Sequence, residues 1–466
     1  MKPKSLALLA VVAIFPLTQN VFGQSPTPMA SPTPPCPAFG WAEGLVKYTA
    51  YPAPPFPTDD TQNVNAQDCA FHQWSWEAFV WATAIGPDGR ARFTTLHNVD
   101  ELGKKSASAK GPKPLGLKPR DFKPKGANAN RSGDDPQQAG GGVLVDQDNQ
   151  IVWYSTHLND AYFTFVQQNG GAGYGKAADT LTFPVGAAVF KASWKVVPSG
   201  TPPAGFYTEK ATVPLLINKP GGGIAVDPSG KTRPVTVALV GLHVVGVTDN
   251  HPEFLWGTFE QVQNAPDLPP GMQPNSSDPV SAQNFTFYKA NTPANACNQP
   301  SPAPSVDPAK QTVTPITNVF RQFATGNAAP NRTADITAIN SAAQGEMANM
   351  KTFKPPQPKE TVWANYKLIG TLWLMANTLK PNDNNMVPEG VGSVNLANST
   401  LETYFQGADV SCFLCHNTGG SSSKKKPYPG KDINISHVIL EMIPAPSATP
   451  SATPAVKKSP PAKINP

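Results

Sequence analysis

The sequence predicts an α+β fold, in which a mostly antiparallel β-sheet or sandwich is followed by a small α-helical region. Three observations support this prediction. Short apolar runs separated by Gly- and Pro-rich turns recur from Gly142 onward, which is typical of antiparallel strands. After the Pro-rich stretch Pro293–Pro308, apolar residues recur at helical spacing instead. The content of Pro (53) and Gly (37) in 466 residues favours turns and short strands over long helices.

The first predicted element is a buried helix that is rich in aromatic residues. Its apolar side chains recur at helical spacing, at Phe71, Trp74, Ala78 and Trp81. A Gly-Pro pair then ends the pattern. An aromatic stripe of this kind forms core more often than it lines a cofactor, and the neighbouring His72 is expected to be a structural histidine.

The predicted strands follow this helix. The runs Val143–Val145 and Ile151–Tyr154 flank a polar turn and predict a hairpin. Further strands are predicted at Tyr162–Val166, Thr180–Phe183, Ala187–Val197, Val213–Ile217, Val235–Val247 and Phe254–Val262. The run at 235–247 is almost continuously apolar, as in a central strand. Its His243 is expected to be buried in the sheet rather than to face a cofactor.

The last part of the chain is predicted to be helical. Apolar spacing indicates helices at Ile316–Phe323, Ile336–Met350 and Val362–Leu379. Ser399 and Glu402 then have the spacing of a capping box, which predicts a short helix before residue 412.

A Cys-x-x-Cys-His motif lies close to the C-terminus, at Cys412, Cys415 and His416. Two thiols at this spacing can each add to a vinyl group of one haem, and the adjacent imidazole then binds the iron. A structural zinc site would need a second pair of ligands at similar spacing, and the other cysteines are isolated. A dithiol redox motif would follow a strand and open a helix, whereas a short helix is predicted before this motif. The motif therefore predicts one covalent haem c in a small helical c-type haem region.

The second axial ligand of the iron is less well defined. Downstream candidates are Met442, on the apolar face of a short predicted helix, and His437 in the same segment. The upstream methionines are Met347, Met350, Met375 and Met386. An upstream ligand, or none, stays open.

The predicted address is the periplasm. Residues 1–23 combine a basic start, a short apolar core and a terminal Gly23, as a secretory signal does. Thioether attachment takes place outside the cytoplasm, so export to the periplasm is consistent with the haem attachment motif. In an oxidising compartment one of the remaining cysteine pairs is expected to form a disulfide, and Cys69 with Cys297 is the expected pair, which leaves Cys36 over.

The predicted segments are a signal (1–23), a Pro-rich leader (24–60), a β-rich domain with the aromatic helix (61–292), a Pro-rich linker (293–310), a helical haem-binding region (311–443) and a disordered tail (444–466).

The charge and hydropathy of the chain limit the classes of partner that it is expected to bind. The formal charge is +5, or +3 without Lys2 and Lys4 of the signal, which does not indicate nucleic-acid binding. No segment of the mature chain reaches the roughly 18 apolar residues of a transmembrane helix. Lys424, Lys425 and Lys426 follow the motif closely. They are expected to be a solvated loop, or to steer acidic redox partner proteins to the haem edge.

Four stretches resemble a group of exported bacterial proteins that are called cytochrome c family proteins for their C-terminal Cys-x-x-Cys-His. These stretches are Phe71–Thr83, Ala238–Gly246, His251–Asp267 and Leu396–Gln406. The resemblance implies a single c-type haem on Cys412, Cys415 and His416, and it implies no particular reaction.

Three functions are compatible with these observations. The motif and the absence of a recognisable catalytic partner favour a monohaem cytochrome that transfers one electron at a time. A haem enzyme, such as a peroxidase-like or small-oxidant reductase, would need an open iron position and a nearby acid or base. In a ligand-binding or sensor module, the sheet would hold the ligand and the haem would be accessory.

Overall fold

A computed structural model of the chain describes residues 69–103, 115–120, 122, 141–198, 203–326, 330–349, 360–408, 410–423 and 426–443. The described residues belong to one compact unit. The predicted signal, leader and tail lie outside the described residues, and so does Cys36.

The described helices are short, apart from two. In chain order they are α1 (Cys69–Thr83), α2 (Asp160–Asn169), α3 (Pro330–Asn349), α4 (Cys412–Cys415) and α5 (His437–Met442). Two 3-10 helices also matter here, at Glu360–Asn365 and Asp432–Ile435. Within the ranges given above, each helix is too short or too polar to cross a bilayer.

Fourteen strands are described. They are β1 (His97–Asn98), β2 (Leu115–Gly116), β3 (Lys118–Pro119), β4 (Val152–Leu158), β5 (Ala188–Val196), β6 (Thr208–Pro214), β7 (Leu216–Asn218), β8 (Ile224–Val226), β9 (Thr232–Thr248), β10 (His251–Gln261), β11 (Ser305–Asp307), β12 (Thr312–Thr314), β13 (Tyr366–Leu374) and β14 (Gly390–Gly392).

Ten of these strands form one sheet around β9. The order along the main path is β1-β4-β5-β9-β10-β13-β14, with β2, β3 and β6 added beside it. Along one edge, the long β9 pairs with β6 in its first half and with β10 in its second half, while β5 pairs along its other edge. Each pairing is antiparallel except β2 with β6. A strand paired along both edges and covered on both faces is apolar almost throughout, which explains the sequence of β9.

The sheet separates two hydrophobic cores. On one face, Leu242 and Val244 of β9 join a core with the aromatic residues of α1. On the other face, Val245 and Val247 join a second core with α2 and with Phe413 of α4. Successive residues of a strand point to opposite faces, so the register of β9 decides which residues meet the C-terminal segment.

The α+β class and the mostly antiparallel sheet are confirmed. Helix α1 confirms the aromatic helix, and α3 confirms the helix at 336–350. The predicted strands at 187–197, 235–247 and 254–262 correspond to β5, β9 and β10.

Several predicted elements are wrong. Tyr162–Val166 lies in α2 rather than in a strand, because the Asn159 side chain accepts from the Tyr162 N–H and caps a helix there. Thr180–Phe183 has no regular structure. A short apolar run does not by itself distinguish strand from helix.

The predicted helix at Val362–Leu379 is also wrong. Its first residues form the 3-10 helix at 360–365, and the rest is β13, which pairs with β10. Side chains on every side of β13 are buried, as they would be in a buried helix, so burial alone misled the prediction. Ile316–Phe323 is irregular rather than helical, with a single bridge from Arg321 to Asp267.

The predicted disulfide is wrong. Cys69 is disulfide-bonded, whereas Cys297 is not. The buried Cys297 thiol donates to the Pro293 carbonyl, with 3.4 Å from Sγ to oxygen.

The Pro-rich stretch 293–310 contains the short strand β11. Strand β10, which precedes this stretch in the chain, pairs with β13, which follows it.

Candidate functional site

The Cys-x-x-Cys-His motif forms the single turn α4 and its C-terminal cap. The His416 N–H donates to the Cys412 carbonyl across the turn, with 2.8 Å from nitrogen to oxygen. Between the two cysteines, Phe413 is fully buried in the second core and anchors the turn. Residues three apart on a helix share a face, and both cysteines line one cleft with His416. Neither cysteine is in a disulfide, and burial raises the pKa of the Cys412 thiol.

The His416 ring is held in one orientation. Its Nδ1 lies 2.9 Å from the carbonyl oxygen of Ile435. A carbonyl only accepts, so Nδ1 carries the proton and Nε2 keeps its lone pair. Burial lowers the pKa of His416 well below its usual value, with His437 adding to the effect, so the ring is neutral. A neutral imidazole anchored at one nitrogen is the form in which histidine binds a metal through the other.

Two tyrosines hold the segment that carries the Ile435 carbonyl. The Tyr162 hydroxyl lies 2.6 Å from Ser436 Oγ. The Tyr174 hydroxyl donates to the Asn434 side-chain oxygen at 2.7 Å. Both tyrosines come from α2 and the turn after it. Tertiary contacts with the sheet domain therefore set the position of the His416 ring.

The ring of His416 contacts two other rings. The Trp256 ring centroid is 4.3 Å away, and His437 stacks on it at 4.0 Å with an angle of 19° between the ring planes. The His437 Nε2 donates to the Cys415 carbonyl at 3.1 Å, and burial lowers the pKa of His437 to about 4. The two imidazoles therefore lie side by side in the cleft, and the assignment of His437 as a second ligand stays a prediction.

Met442 lies away from the cleft. A Cβ on Gly170 would come within 3.2 Å of the Met442 Cβ, and one on Gly103 within 3.9 Å of its Cε, so the side chain packs against these loops. None of the described methionines lines the cleft. The assignment of Met442 as a thioether ligand stays a prediction.

The cleft lies between the C-terminal segment and one face of the sheet. The sheet contributes Thr156, Lys191, His243 and Trp256, among others. The cleft is partly open to solvent, and Cys412, Cys415 and His416 line it together.

The position of His243 differs from the prediction, in which this residue is buried in the sheet. It lines the cleft, and its Nε2 lies 3.0 Å from the Glu402 Oε1. The predicted capping box with Ser399 is not formed, because Ser399 bonds Glu260 and Glu402 Oε2 accepts from the Asn398 N–H at 2.9 Å. Alternation along β9 was the available signal, since residues 243 and 245 face away from the core of α1.

The residues of the cleft fit a c-type haem. In the described part of the chain, no three His, Cys, Asp or Glu residues come together to hold a metal ion. A porphyrin supplies four nitrogen ligands itself, so the protein has to add only axial ones. The Nε1 of Trp256 and the Oγ of Ser411 are buried cleft atoms with no partner among the described residues. Buried polar atoms normally have partners, so these two favour a bound group with hydrogen-bond acceptors.

Searches against protein-family models, curated proteins and solved structures found no match to this chain.

Proposed function

We propose that this protein is an exported monohaem c-type cytochrome that transfers one electron at a time. Cys412 and Cys415 would carry the haem, and His416 would bind the iron through Nε2. The observation that supports this most is the hydrogen bond from His416 Nδ1 to the Ile435 carbonyl, beside both cysteines in one cleft. The haem supplies the one-electron couple. The chain packs the imidazole against Trp256 and His437 and keeps it neutral.

Export to the periplasm is part of the proposal. The disulfide at Cys69 supports it, because disulfides persist in oxidising compartments and are rare in the cytoplasm. The haem also requires thiols that stay reduced until attachment, and Cys412 and Cys415 are outside any disulfide.

Covalent attachment is tested with cysteine variants made in a host that matures c-type haem. We expect the denatured wild type to keep its colour through extraction with acidified organic solvent. The double variant Cys412→Ser, Cys415→Ser should lose it. Cys297→Ser is the matched control, since that thiol lies in another core and should be irrelevant to colour. Colour that leaves the wild-type chain, or is never there, would end the proposal.

Acidic redox proteins are the proposed partners. Lys426 lies beside the cleft, since its Nζ donates to the backbone carbonyl of Glu441, a cleft residue, at 3.2 Å. Lys424 and Lys425 lie outside the described residues. We expect reduction by an acidic donor protein to slow several-fold between low salt and about 0.5 M salt, because ions screen exposed charges. Lys426→Glu should reduce both the low-salt rate and its salt dependence. A rate that ignores salt would reject this partner class.

A further inference from the structure

The sheet wall of the cleft carries polar groups that electron transfer does not need. Lys191 of β5 and His243 of β9 are directly paired across the two strands. Directly opposite residues share a face, with Cβ atoms about 4.5–5.5 Å apart. Both residues line the cleft, and the Lys191 charge is close enough to lower the pKa of Glu402, which also lines it.

Glu402 holds the His243 ring by one nitrogen. The distance from His243 Nε2 to Glu402 Oε1 is 3.0 Å, and the His243 side chain is 16% exposed. Burial alone would favour the neutral acid, but His243, Lys191 and the Asn398 N–H outweigh it and lower the pKa of Glu402. A carboxylate accepts, so Nε2 donates to it. Nδ1 is the remaining ring nitrogen, and in the neutral form of the ring it carries the lone pair that a molecule in the cleft can use.

The glutamate is itself fixed to the sheet. Its Oε2 accepts from the Asn398 N–H. The Asn398 side-chain amide donates to Thr258 Oγ1 at 2.9 Å and to the Phe259 carbonyl at 3.0 Å. Thr258 is the partner of His243 on β10. The carboxylate is therefore rigid relative to the strand that carries the imidazole, as in sites that use histidine as an acid or base.

This pair lies one row of side chains from the proposed iron ligand. Val245, two residues beyond His243 on the same face, is paired with Trp256. His243 and Trp256 are therefore diagonal neighbours on this face, and such neighbours are about 7–8 Å apart. The Trp256 ring in turn packs on His416. Since no described methionine lines the cleft, no thioether among the described residues competes for the space between.

We propose that the cleft also binds small weak acids of the form H–X, such as hydrogen cyanide or hydrogen peroxide, as their anions. The H–X bond breaks, its proton goes to His243 Nδ1, and the electron pair stays on X. Glu402 stabilises the imidazolium that forms, and the Lys191 ammonium attracts the anion beside the haem-binding residues. Atoms and charge balance without any oxidant or reductant. This inference rests on the haem proposal and adds ligand binding to electron transfer.

The test is an optical titration of the oxidised holoprotein with cyanide, compared with carbon monoxide binding to the reduced protein. Carbon monoxide has no proton to give, so it reports access alone. We expect the wild type to bind both. His243→Leu should slow cyanide association by about tenfold or more, because acid–base assistance is worth about 10²–10⁴ in rate, and should change carbon monoxide binding by less than about threefold.

Further variants keep the test decisive if His243→Leu does not fold. Glu402→Gln keeps the size of the side chain and should also slow cyanide selectively. Lys191→Met removes only the charge and should weaken cyanide affinity. His97→Asn is the matched control, because His97 lies outside the cleft, where its ring nitrogens contact the carboxylates of Glu101 and Asp160.

Three results would overturn the proposal. The first is a wild type with covalent haem that binds neither ligand. The second is equal loss of both ligands in His243→Leu, which would mean that the side chain acts only through its shape. The third is a gain of carbon monoxide binding in that variant, which would make His243 an iron ligand. Absence of covalent haem, checked on the denatured protein, identifies a failure of the proposed function and ends both proposals.

Discussion

At the scale of single residues, the neighbours of His416 decide what it can do. The motif identified the histidine, but its environment comes from distant parts of the chain. Trp256 packs on the ring, the Ile435 carbonyl accepts a hydrogen bond from its Nδ1, and Tyr162 and Tyr174 hold that segment. None of these partners has a signature at the sequence level. Their roles depend on which residues meet after the sheet has formed.

Met442 provides a prediction at this scale. Its side chain packs on Gly170 and does not line the cleft. We therefore expect Met442→Leu to leave the absorption spectrum of the haem protein unchanged, including any weak long-wavelength band of sulfur-to-iron ligation. Met442→Ala should lower the free energy of unfolding by about 1–2 kcal/mol, less than the roughly 2–5 kcal/mol of a fully buried methionine. Spectra and urea denaturation check both. A ligation band lost in the leucine variant would make Met442 a ligand after all.

At the scale of elements, close packing of α1 on the sheet depends on small residues. A Cβ on Gly257 of β10 would lie 2.5 Å from Ser75 Oγ of α1 and 3.0 Å from a methyl carbon of Val244. Ser75 Oγ also lies 2.7 Å from Thr371 Oγ1 of β13. The helix therefore sits on β10 and β13 at the distance that a bare glycine permits. The sequence predicted the helix, whereas its position depends on the sheet against which it packs.

A matched pair of glycine substitutions tests this contact. Gly257→Ala should lower the free energy of unfolding by about 1–3 kcal/mol, because an added methyl group overpacks the core. Gly345→Ala in α3 is the control, since no described atom lies within 4 Å of a Cβ there. It should be neutral, or stabilising by up to about 1 kcal/mol through helix propensity. Chemical denaturation of both variants gives the answer. Equal effects would mean that α1 does not need this glycine.

At the scale of the whole molecule, burial of titratable groups on both faces of the sheet limits stability in acid. His157 of β4 is buried against the Phe93 ring. Burial lowers the pKa of His157 to about 3, and the nearby Arg90 adds to the effect. On the cleft side, burial lowers the pKa of His437 to about 4. Both rings are neutral in the folded protein under conditions in which the unfolded chain protonates them.

Stability should therefore fall as the pH drops below about 6.5, the ordinary pKa of histidine. The folded pKa of His157 is lower than the unfolded one, so the unfolded chain binds more protons between these values. The loss continues until the pH reaches about 3, at up to about 1.4 kcal/mol per pH unit for this one group. We expect His157→Gln to have a shallower slope of unfolding free energy between pH 6.5 and 4.5 than the wild type. Parallel slopes would contradict a neutral buried His157.

The sequence by itself determined the local features of this protein. The motif at Cys412, Cys415 and His416, the aromatic helix α1 and the apolar strand β9 are each encoded within a few residues, so spacing and composition were enough. Only the tertiary structure decided the rest. The apolar run of β13 is buried on every side, and such burial looks the same in a helix and in a central strand until a partner strand pairs with it. The face on which His243 lies depends on strand register, because one step in register moves a side chain to the opposite face of a sheet. Its partner Glu402 is 159 residues away in the sequence, so only the folded chain brings the two together.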